Sequence, residues 1–253
     1  MSSERRRSII LWGPPGSGKS LYLTSLVMWL ARERDERPFA VIPGDDRSAS
    51  WIARRGSPHP EGVALTPAAP ATGSVPIFRI YSITDPAIAN GHRSSLLAEL
   101  IPSDAGAGEP SSTRLDEASG VILFLPVAAM AASSEVRDAC VTWFTTTLAR
   151  LPEPAGAAPP AVSIPVAVCL TQTDEAPDAS RRDAGRWLES FGSEPMRALR
   201  AHCAHFALFK ISSLGRMPRR RDGVDVLVGT PEPHGVLAPI RWILSDRTEE
   251  AVA

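Results

Sequence analysis

The chain has 253 residues, of which 43% are apolar, and this is enough to bury a substantial core in one α/β domain. Its 27 basic and 28 acidic side chains give a formal net charge of −1, so no overall field draws it toward nucleic acid or an anionic membrane. The three cysteines are scattered and the sequence has no secretory signal, so we predict a cytoplasmic protein. It has no apolar stretch of about 20 residues, so we predict no transmembrane segment.

The first predicted elements are an apolar strand, Ser8 to Trp12, a glycine-rich loop and a helix from Ser20 to Arg34. The loop matches G-x-x-x-x-G-K-[ST], whose glycines let successive backbone N–H groups turn toward phosphates. Lys19 would contact the β- and γ-phosphates, Ser20 would bind Mg²⁺, and the helix N-terminus would add partial positive charge. We therefore predict binding of a nucleoside triphosphate and Mg²⁺ by Gly13, Pro14, Pro15, Gly16, Ser17, Gly18, Lys19, Ser20 and Leu21.

Two stretches rich in Pro, Gly, Ala and Ser are predicted to be long irregular inserts, at about 43–76 and 90–119. Trp51 lies in the first insert and would be exposed there. The alternating segment 77–83 between the inserts predicts a strand, and Ser94 to Leu100 in the second insert predicts one short helix.

The second half of the chain alternates strands with helices. Val121 to Leu125 is continuously apolar, which is typical of a parallel strand that is covered on both faces. The elements predicted after it are helix 134–151, strand 166–170, helices 182–189 and 194–202, strand 206–211 and helix 236–246. This order predicts a single domain, 1–253, with a doubly wound, mostly parallel sheet and helices on both faces.

Ligands of such sheets bind at the carboxyl ends of the strands. Polar residues follow three of the predicted strands: Asp85 after the first, Thr171-Gln172-Thr173-Asp174 after the second, and Ser212-Ser213-Leu214-Gly215 after the third. We expect all three segments to face one crevice together with the glycine-rich loop.

These segments resemble the motif series of the Ras-like, translation-factor-related P-loop GTPases. The segment 171–174 is similar to their N/T-K/Q-x-D element, and 212–215 is similar to their S-A-x-G element on the next strand. Segments 83–87 and 236–244, together with the inserts, look most like the bacterial double-GTPase group of multi-gene conflict and regulatory systems. The resemblance covers most of the chain and implies a Ras-like GTPase topology.

The resemblance also implies roles for individual residues. The Asp174 carboxylate would accept hydrogen bonds from N1 and the exocyclic amine of guanine, while adenine presents the reverse pattern. Gln172 replaces the lysine that is usual in the family. The base would be bound by Thr171, Gln172, Asp174, Ser212, Ser213 and Leu214.

For the metal, the resemblance implies Asp85 and Thr66 as further contacts of Mg²⁺ beside Ser20. Ile88 stands where the family has the switch glycine, and this departure puts switching and hydrolysis in doubt because isoleucine does not adopt the backbone conformations of glycine. His92 is the nearest candidate for positioning a water molecule, with Lys19 as the second catalytic residue.

The sequence therefore predicts a magnesium-dependent guanine-nucleotide-binding protein, a slow GTPase that acts as a regulatory switch with protein partners in a multi-component bacterial system. Two alternatives stay open. One is an ATP-binding ATPase, because the two prolines of the loop are also typical of AAA-type ATPases, although the pair Asp116-Glu117 follows no buried strand. The other is a scaffold that holds its nucleotide without hydrolysing it.

Overall fold

The computed structural model describes residues 7–29, 39–54, 56–59, 61–65, 76–82, 96–104, 118–151, 162–176 and 182–245. The strands of these segments are β1 (Ser8–Gly13), β2 (Phe39–Pro43), β3 (Gly56–His59), β4 (Gly62–Leu65), β5 (Phe78–Ser82), β6 (Leu96–Asp104), β7 (Ala118–Pro126), β8 (Val166–Thr171), β9 (Phe206–Lys210), β10 (Arg219–Arg221) and β11 (Val224–Val228). The helices are α1 (Lys19–Thr24), α2 (Asp46–Ala53), α3 (Val127–Ala132), α4 (Ser134–Leu148), α5 (Ala184–Glu189), α6 (Glu194–His202) and α7 (Ala238–Ser245).

Seven strands form the main sheet in the order β2-β5-β6-β1-β7-β8-β9. The strands from β6 to β9 in this order are parallel to one another, and β5 is antiparallel to both of its neighbours. The predicted α/β fold with a mostly parallel sheet is confirmed, and β1 and β7 lie at its centre.

Helices cover both faces of the main sheet, as predicted. Because side chains alternate along a strand, Ile10 and Trp12 of β1 pack in one core cluster and Ile9 and Leu11 in the other. Helices α4 to α6 contribute to the first cluster, and α1, α2 and α7 to the second. The three cysteines are free and buried in these clusters.

A second sheet of four antiparallel strands, β10-β11-β4-β3, joins two hairpins that are distant in sequence, and we call it the small sheet. The prediction of one irregular insert at 43–76 is therefore wrong for the described residues of that range. Asp45 caps the N-terminus of α2 there, and its Oδ1 accepts a hydrogen bond from the Ser48 backbone N–H at 2.7 Å. Trp51 of α2 is half-buried and packs edge-on against Phe78, at 6.0 Å between ring centroids.

The short helix predicted at Ser94 to Leu100 is also wrong, because residues from Leu96 onward form β6 between β5 and β1. The buried residues Ala98 and Leu100 share one face of this strand. Leucine and alanine favour a helix locally, but pairing with β5 on one side and with the distant β1 on the other decides the structure here.

The helix predicted to run from Ser20 begins as α1 but changes to a π-helical turn at Ser25–Trp29. Two hydroxyl groups donate hydrogen bonds to backbone carbonyls in this region: Thr24 Oγ1 to Ser20 O and Ser25 Oγ to Tyr22 O, both at 2.8 Å. Such side-chain bonds compete with the α-helical ladder and accompany the wider turn.

Candidate functional site

The loop from Gly13 to Ser20 connects the central strand β1 to α1 in the predicted strand, loop and helix context. Gly16 and Gly18 have φ angles of 75° and 87°, which L-residues with a side chain rarely adopt. A Cβ atom on Gly13 would lie 2.5 Å from Ser17 Oγ and 2.9 Å from Phe124 Cβ. The loop therefore needs glycine at these three positions, of which Gly13 and Gly18 are the two glycines of the motif.

Lys19 is only 6% exposed and is held by the same loop. Its Nζ donates hydrogen bonds to the carbonyl oxygens of Gly13 and Pro14, at 2.6 and 3.2 Å, and lies 3.4 Å from Ser17 Oγ. These bonds fix a positive charge at the loop, while Pro15 and Gly16 are exposed at its tip. A buried ammonium beside an open glycine loop suits the binding of a polyanion.

The end of β8 is tied to this loop. The Thr171 hydroxyl lies 2.8 Å from the carbonyl oxygen of Ser17 and 3.1 Å from that of Leu125, so its single O–H is within donating distance of both. Gln172 follows with a φ angle of 61°, and its Nε2 lies 3.4 Å from Gly16 O. The structure thus brings both residues to the loop, as the sequence predicts.

Asp174 lies in the turn after β8, and its Oδ2 is buried without a hydrogen-bond partner among the described residues. The same is true of Gln172 Oε1. Both atoms are acceptors, and a buried acceptor without a partner costs free energy until a donor reaches it. The site is therefore suited to a ligand that presents N–H or O–H groups. Burial raises the pKa of the neighbouring Glu175 carboxyl, and the carboxylates of Asp174 and Asp225 raise it further.

The tail of β9 lies beside the tail of β8, where the Thr173 backbone N–H donates to Ile211 O at 3.4 Å. Ser212 is held by two backbone hydrogen bonds with His234, and its Oγ accepts a hydrogen bond from the Gly215 backbone N–H at 2.7 Å. Ser213 and Leu214 follow in the same turn, and Leu214 belongs to an apolar cluster against which Leu21 of α1 packs. The loop and the two tails therefore meet at one edge of the sheet.

Thr66, Asp85 and His92 lie outside the described residues, as does Ile88. Because β5 is antiparallel, the connection that carries Asp85 and His92 starts and ends at the edge of the sheet opposite the glycine-rich loop. We expected the segment that carries Asp85, after the first of the three predicted strands, to face the common crevice. This expectation is wrong for the end of β5 itself.

Asp104, the last residue of β6, is not among the site residues predicted from the sequence. The two parallel strands β6 and β1 are in a register that pairs Asp104 with Gly13, the first residue of the loop. The sequence does indicate that a strand ends here. Asp104 is followed by an acidic and glycine-rich run, Ala105-Gly106-Ala107-Gly108-Glu109, directly after the apolar positions of β6. The prediction of a helix over Ser94 to Leu100 left no strand that would end at Asp104.

No cluster of three or more His, Cys, Asp or Glu side chains suited to a metal ion occurs within the described segments. Ser20, which the sequence predicts to bind Mg²⁺, has a half-buried side chain at the start of α1. Among the helices that the structure describes, none is long and apolar enough to cross a bilayer.

No protein-family model and no curated protein matches the sequence. Among solved structures, the small GTPase Arl6 (BBS3) from Trypanosoma brucei with bound nucleotide analogue GppNp aligns over 96% of this chain and 98% of its own, at 11% identity and a TM-score of 0.49. SsGBP in complex with GDP aligns over 85% of this chain and 47% of its own, at 13% identity and a TM-score of 0.38. A variant of SsGBP aligns at 14% identity and a TM-score of 0.40, over 83% of this chain and 51% of that one, so the chain spans about half the length of SsGBP. At these scores the likeness carries no conclusion about function, and the fold class stands on the sheet order of the chain itself.

Proposed function

We propose that the chain binds a guanine nucleotide with Mg²⁺ between the glycine-rich loop and the tails of β8 and β9. The observation that carries this proposal is the direct attachment of the β8 tail to the loop through Thr171 and Gln172. It places the unpartnered, buried Asp174 Oδ2 on a segment that is fixed relative to the buried ammonium of Lys19. A charge for phosphates and an acceptor for a base are thus held in one unit.

At the phosphate end, the backbone of the loop and the Lys19 ammonium would bind the β- and γ-phosphates. Bound Mg²⁺ would neutralise developing charge on the phosphates, with the Ser20 hydroxyl as a ligand. For the carboxylate contact to Mg²⁺ we propose Asp104 in place of Asp85, because β6 ends in register with Gly13 whereas β5 ends at the opposite edge. Thr66 stays the candidate for a second hydroxyl contact to Mg²⁺.

At the base end, the Asp174 carboxylate would accept hydrogen bonds from N1–H and the exocyclic amine of guanine. Adenine presents an acceptor at N1, and this atom would repel the carboxylate. Each hydrogen bond to a charged group contributes about 1.5–3 kcal/mol, so the base preference should amount to at least about tenfold. The backbone of Ser213 and Leu214 would lie along the same edge of the base.

We further propose that turnover of the nucleotide is slow and that the chain acts as a regulatory switch with a protein partner in a multi-component system. The reaction would be attack of water on the γ-phosphate, giving GDP and inorganic phosphate. Ile88 at the switch glycine position supports slow turnover, and it equally favours a scaffold that keeps its GTP. Single-turnover hydrolysis separates these two functions, because a scaffold leaves the bound GTP intact over hours.

Calorimetric titration with GTP, ITP and ATP in the presence of Mg²⁺ tests the base assignment. ITP lacks the exocyclic amine of guanine, so the wild-type chain should bind it about tenfold or more weakly than GTP. Asp174→Ala should bind GTP and ITP with nearly equal affinity, because the carboxylate that distinguishes them is gone. Asp138→Asn on the exposed surface of α4 is the matched control and should keep the wild-type order.

A wild-type preference for ATP over GTP would exclude guanine recognition and favour the ATPase alternative. An undiminished ratio of GTP to ITP affinity in Asp174→Ala would show that another residue recognises the base. Absence of magnesium-supported binding of any of the three nucleotides would exclude the function altogether.

A further inference from the structure

The tail of β9, residues 212–215, is bonded along its backbone to a segment that follows the small sheet. We call this segment, residues 229–235, the brace. The Ser212 backbone exchanges two hydrogen bonds with His234, at 2.8 and 3.1 Å, and the Leu214 carbonyl accepts a third from the Glu232 N–H at 3.0 Å. The brace therefore holds the tail as a neighbouring strand would, although neither segment belongs to the main sheet or the small sheet.

These bonds leave two successive donors of the tail without a partner among the described residues. They are the backbone N–H groups of Ser213 and Leu214, whereas the N–H of Gly215 donates to Ser212 Oγ at 2.7 Å. Ser213 is half-buried and Leu214 is buried. A backbone N–H that is shielded from water costs free energy until an acceptor reaches it. This part of the tail is therefore suited to a ligand that presents an acceptor atom.

A single guanidinium joins the brace to the end of the tail. Arg216 directly follows the tail, donates a hydrogen bond to the Val228 carbonyl at 3.4 Å and forms an ion pair with the Glu232 carboxylate. Val228 ends β11 directly before the brace, and Glu232 lies in the middle of the brace. Arg216 therefore fixes the brace relative to the tail at two points.

The tail and the brace approach each other most closely at Gly215. Its φ angle is 76°, and a Cβ atom there would overlap the carbonyl oxygen of Glu232, so another residue would displace the brace. Gly223, in the turn between β10 and β11, has nearly the same φ angle, 82°, but its Cβ would have no atom within 4 Å. Substitutions at these two glycines therefore separate backbone strain from displacement of the brace.

We propose that the brace and Arg216 position the β9 tail so that the N–H groups of Ser213 and Leu214 bind O6 of guanine, with Arg216 as a positioning residue. This inference rests on the proposed function. O6 is an acceptor beside N1 on the edge of the base, and a backbone hydrogen bond joins the β9 tail to the turn that bears Asp174. Adenine has an amino group in place of O6, and this group would face the same N–H donors. The tail therefore adds a preference for guanine that does not depend on the Asp174 carboxylate.

The test compares GDP with 6-thio-GDP, in which a sulfur atom replaces O6 and accepts hydrogen bonds only weakly. The wild-type chain should bind GDP about five- to tenfold more tightly, measured by calorimetry with Mg²⁺. Gly215→Ala should displace the brace, weaken GDP binding about tenfold and bring the ratio of the two affinities close to one. Gly223→Ala is the matched control, because it introduces similar backbone strain without displacing a neighbour, and it should keep the wild-type ratio.

Arg216→Ala is a milder change that keeps the test decisive if Gly215→Ala fails to fold. It removes the bonds to Val228 and Glu232 and should lower the ratio of GDP to 6-thio-GDP affinity about two- to threefold, because water screens part of this ion pair. Arg219→Ala on the exposed strand β10 controls for the removed charge. Affinity for inorganic tripolyphosphate with Mg²⁺, which has no base, should change less than about twofold in every variant.

A wild-type ratio in Arg216→Ala would overturn the proposal, whatever the outcome for Gly215→Ala. A loss of tripolyphosphate affinity equal to the loss of GDP affinity would also overturn it, because the brace would then support the glycine-rich loop and not the base. Equal affinities of the wild-type chain for GDP and 6-thio-GDP would show that the tail does not bind O6. If the wild-type chain binds no GDP, the proposed function itself has failed.

Discussion

The two halves of the main sheet differ in how they are encoded. The half formed by β1, β7, β8 and β9 consists of apolar strands, and helices follow β1, β7 and β8 along the chain. The half formed by β2, β5 and β6 contains an antiparallel strand and a strand that ends in Pro102, Ser103 and Asp104. In the first half each strand carries an apolar run that can be recognised locally, whereas in the second half the direction of β5 and the polar end of β6 follow only from how the strands pair.

This difference has a functional consequence. The first half provides the glycine-rich loop and the tails of β8 and β9, which are fixed to one another by short-range geometry and by Thr171. In the proposed site, the second half would determine which aspartate contacts Mg²⁺, because β6 ends in register with Gly13 whereas β5 ends at the opposite edge. Binding should therefore depend on the first half, and the response to magnesium on the second.

Lys19→Ala should produce the largest effect and tests the first half. Removal of the buried ammonium takes away its bonds to the phosphates and leaves the carbonyls of Gly13 and Pro14 without their donor. We expect GTP affinity to fall about 100-fold, which corresponds to roughly 3 kcal/mol, measured by calorimetry in Mg²⁺. Arg137→Ala on α4 controls for the loss of one positive charge, and equal affinities for Lys19→Ala and wild type would contradict the site.

The second prediction concerns the second half of the sheet and compares two aspartates. Asp104→Ala should weaken the dependence of GTP binding on Mg²⁺ by about tenfold, because one carboxylate contact to the cation or its water shell is lost. Asp85→Ala should leave this dependence unchanged. Titration of magnesium at fixed GTP gives both values in one experiment. The reverse order of effects would restore Asp85 to the metal site and contradict the role of the β6 register.

Much of the first half could be predicted from sequence, and physical reasons explain why the rest could not. Continuous apolar runs such as Val121 to Leu125 predict buried parallel strands, and the glycine pattern predicts the loop, because both signals are local. The small sheet joins Gly62 to Val228 across more than half of the chain, and no local pattern reports such a pairing. For the same reason the contact between Leu21 and the small sheet could not be predicted.

Thr171→Val is a smaller change at the junction of loop and β8. Valine has nearly the same shape as threonine but cannot donate to the carbonyls of Ser17 and Leu125, which are 2.8 and 3.1 Å away. Because Thr171 is only 2% exposed, water cannot easily replace the bond, and we expect the free energy of unfolding to fall by about 1–3 kcal/mol. Urea denaturation measures this change, and Thr146→Val on α4 is the control.

Tyr22→Phe should change stability in the opposite direction. The Tyr22 hydroxyl is buried and has no hydrogen-bond partner among the described residues, and its ring packs edge-on against Phe124 at 5.1 Å. Phenylalanine keeps the ring contact and removes the unpaired polar group. We expect the free energy of unfolding to rise by up to about 1 kcal/mol in the same urea assay. A loss of stability would show that the hydroxyl has a partner, such as a buried water molecule.

Glu175→Gln should have the smallest effect, and it tests the raised pKa of Glu175 in the turn after β8. Burial, Asp174 and Asp225 all raise the pKa of Glu175 in the folded chain, so its ionisation opposes folding. The wild-type chain should lose stability as pH rises from the ordinary glutamate pKa, about 4.3, through the raised value. Glutamine does not ionise, so the variant should gain stability over wild type between pH 4 and 7 and show no gain below that window.

Because Glu175 is half-buried, water screens part of this effect, and Glu194→Gln on α6 controls for the removed charge. A constant difference across the pH range would mean that the pKa of Glu175 is not raised in the folded chain.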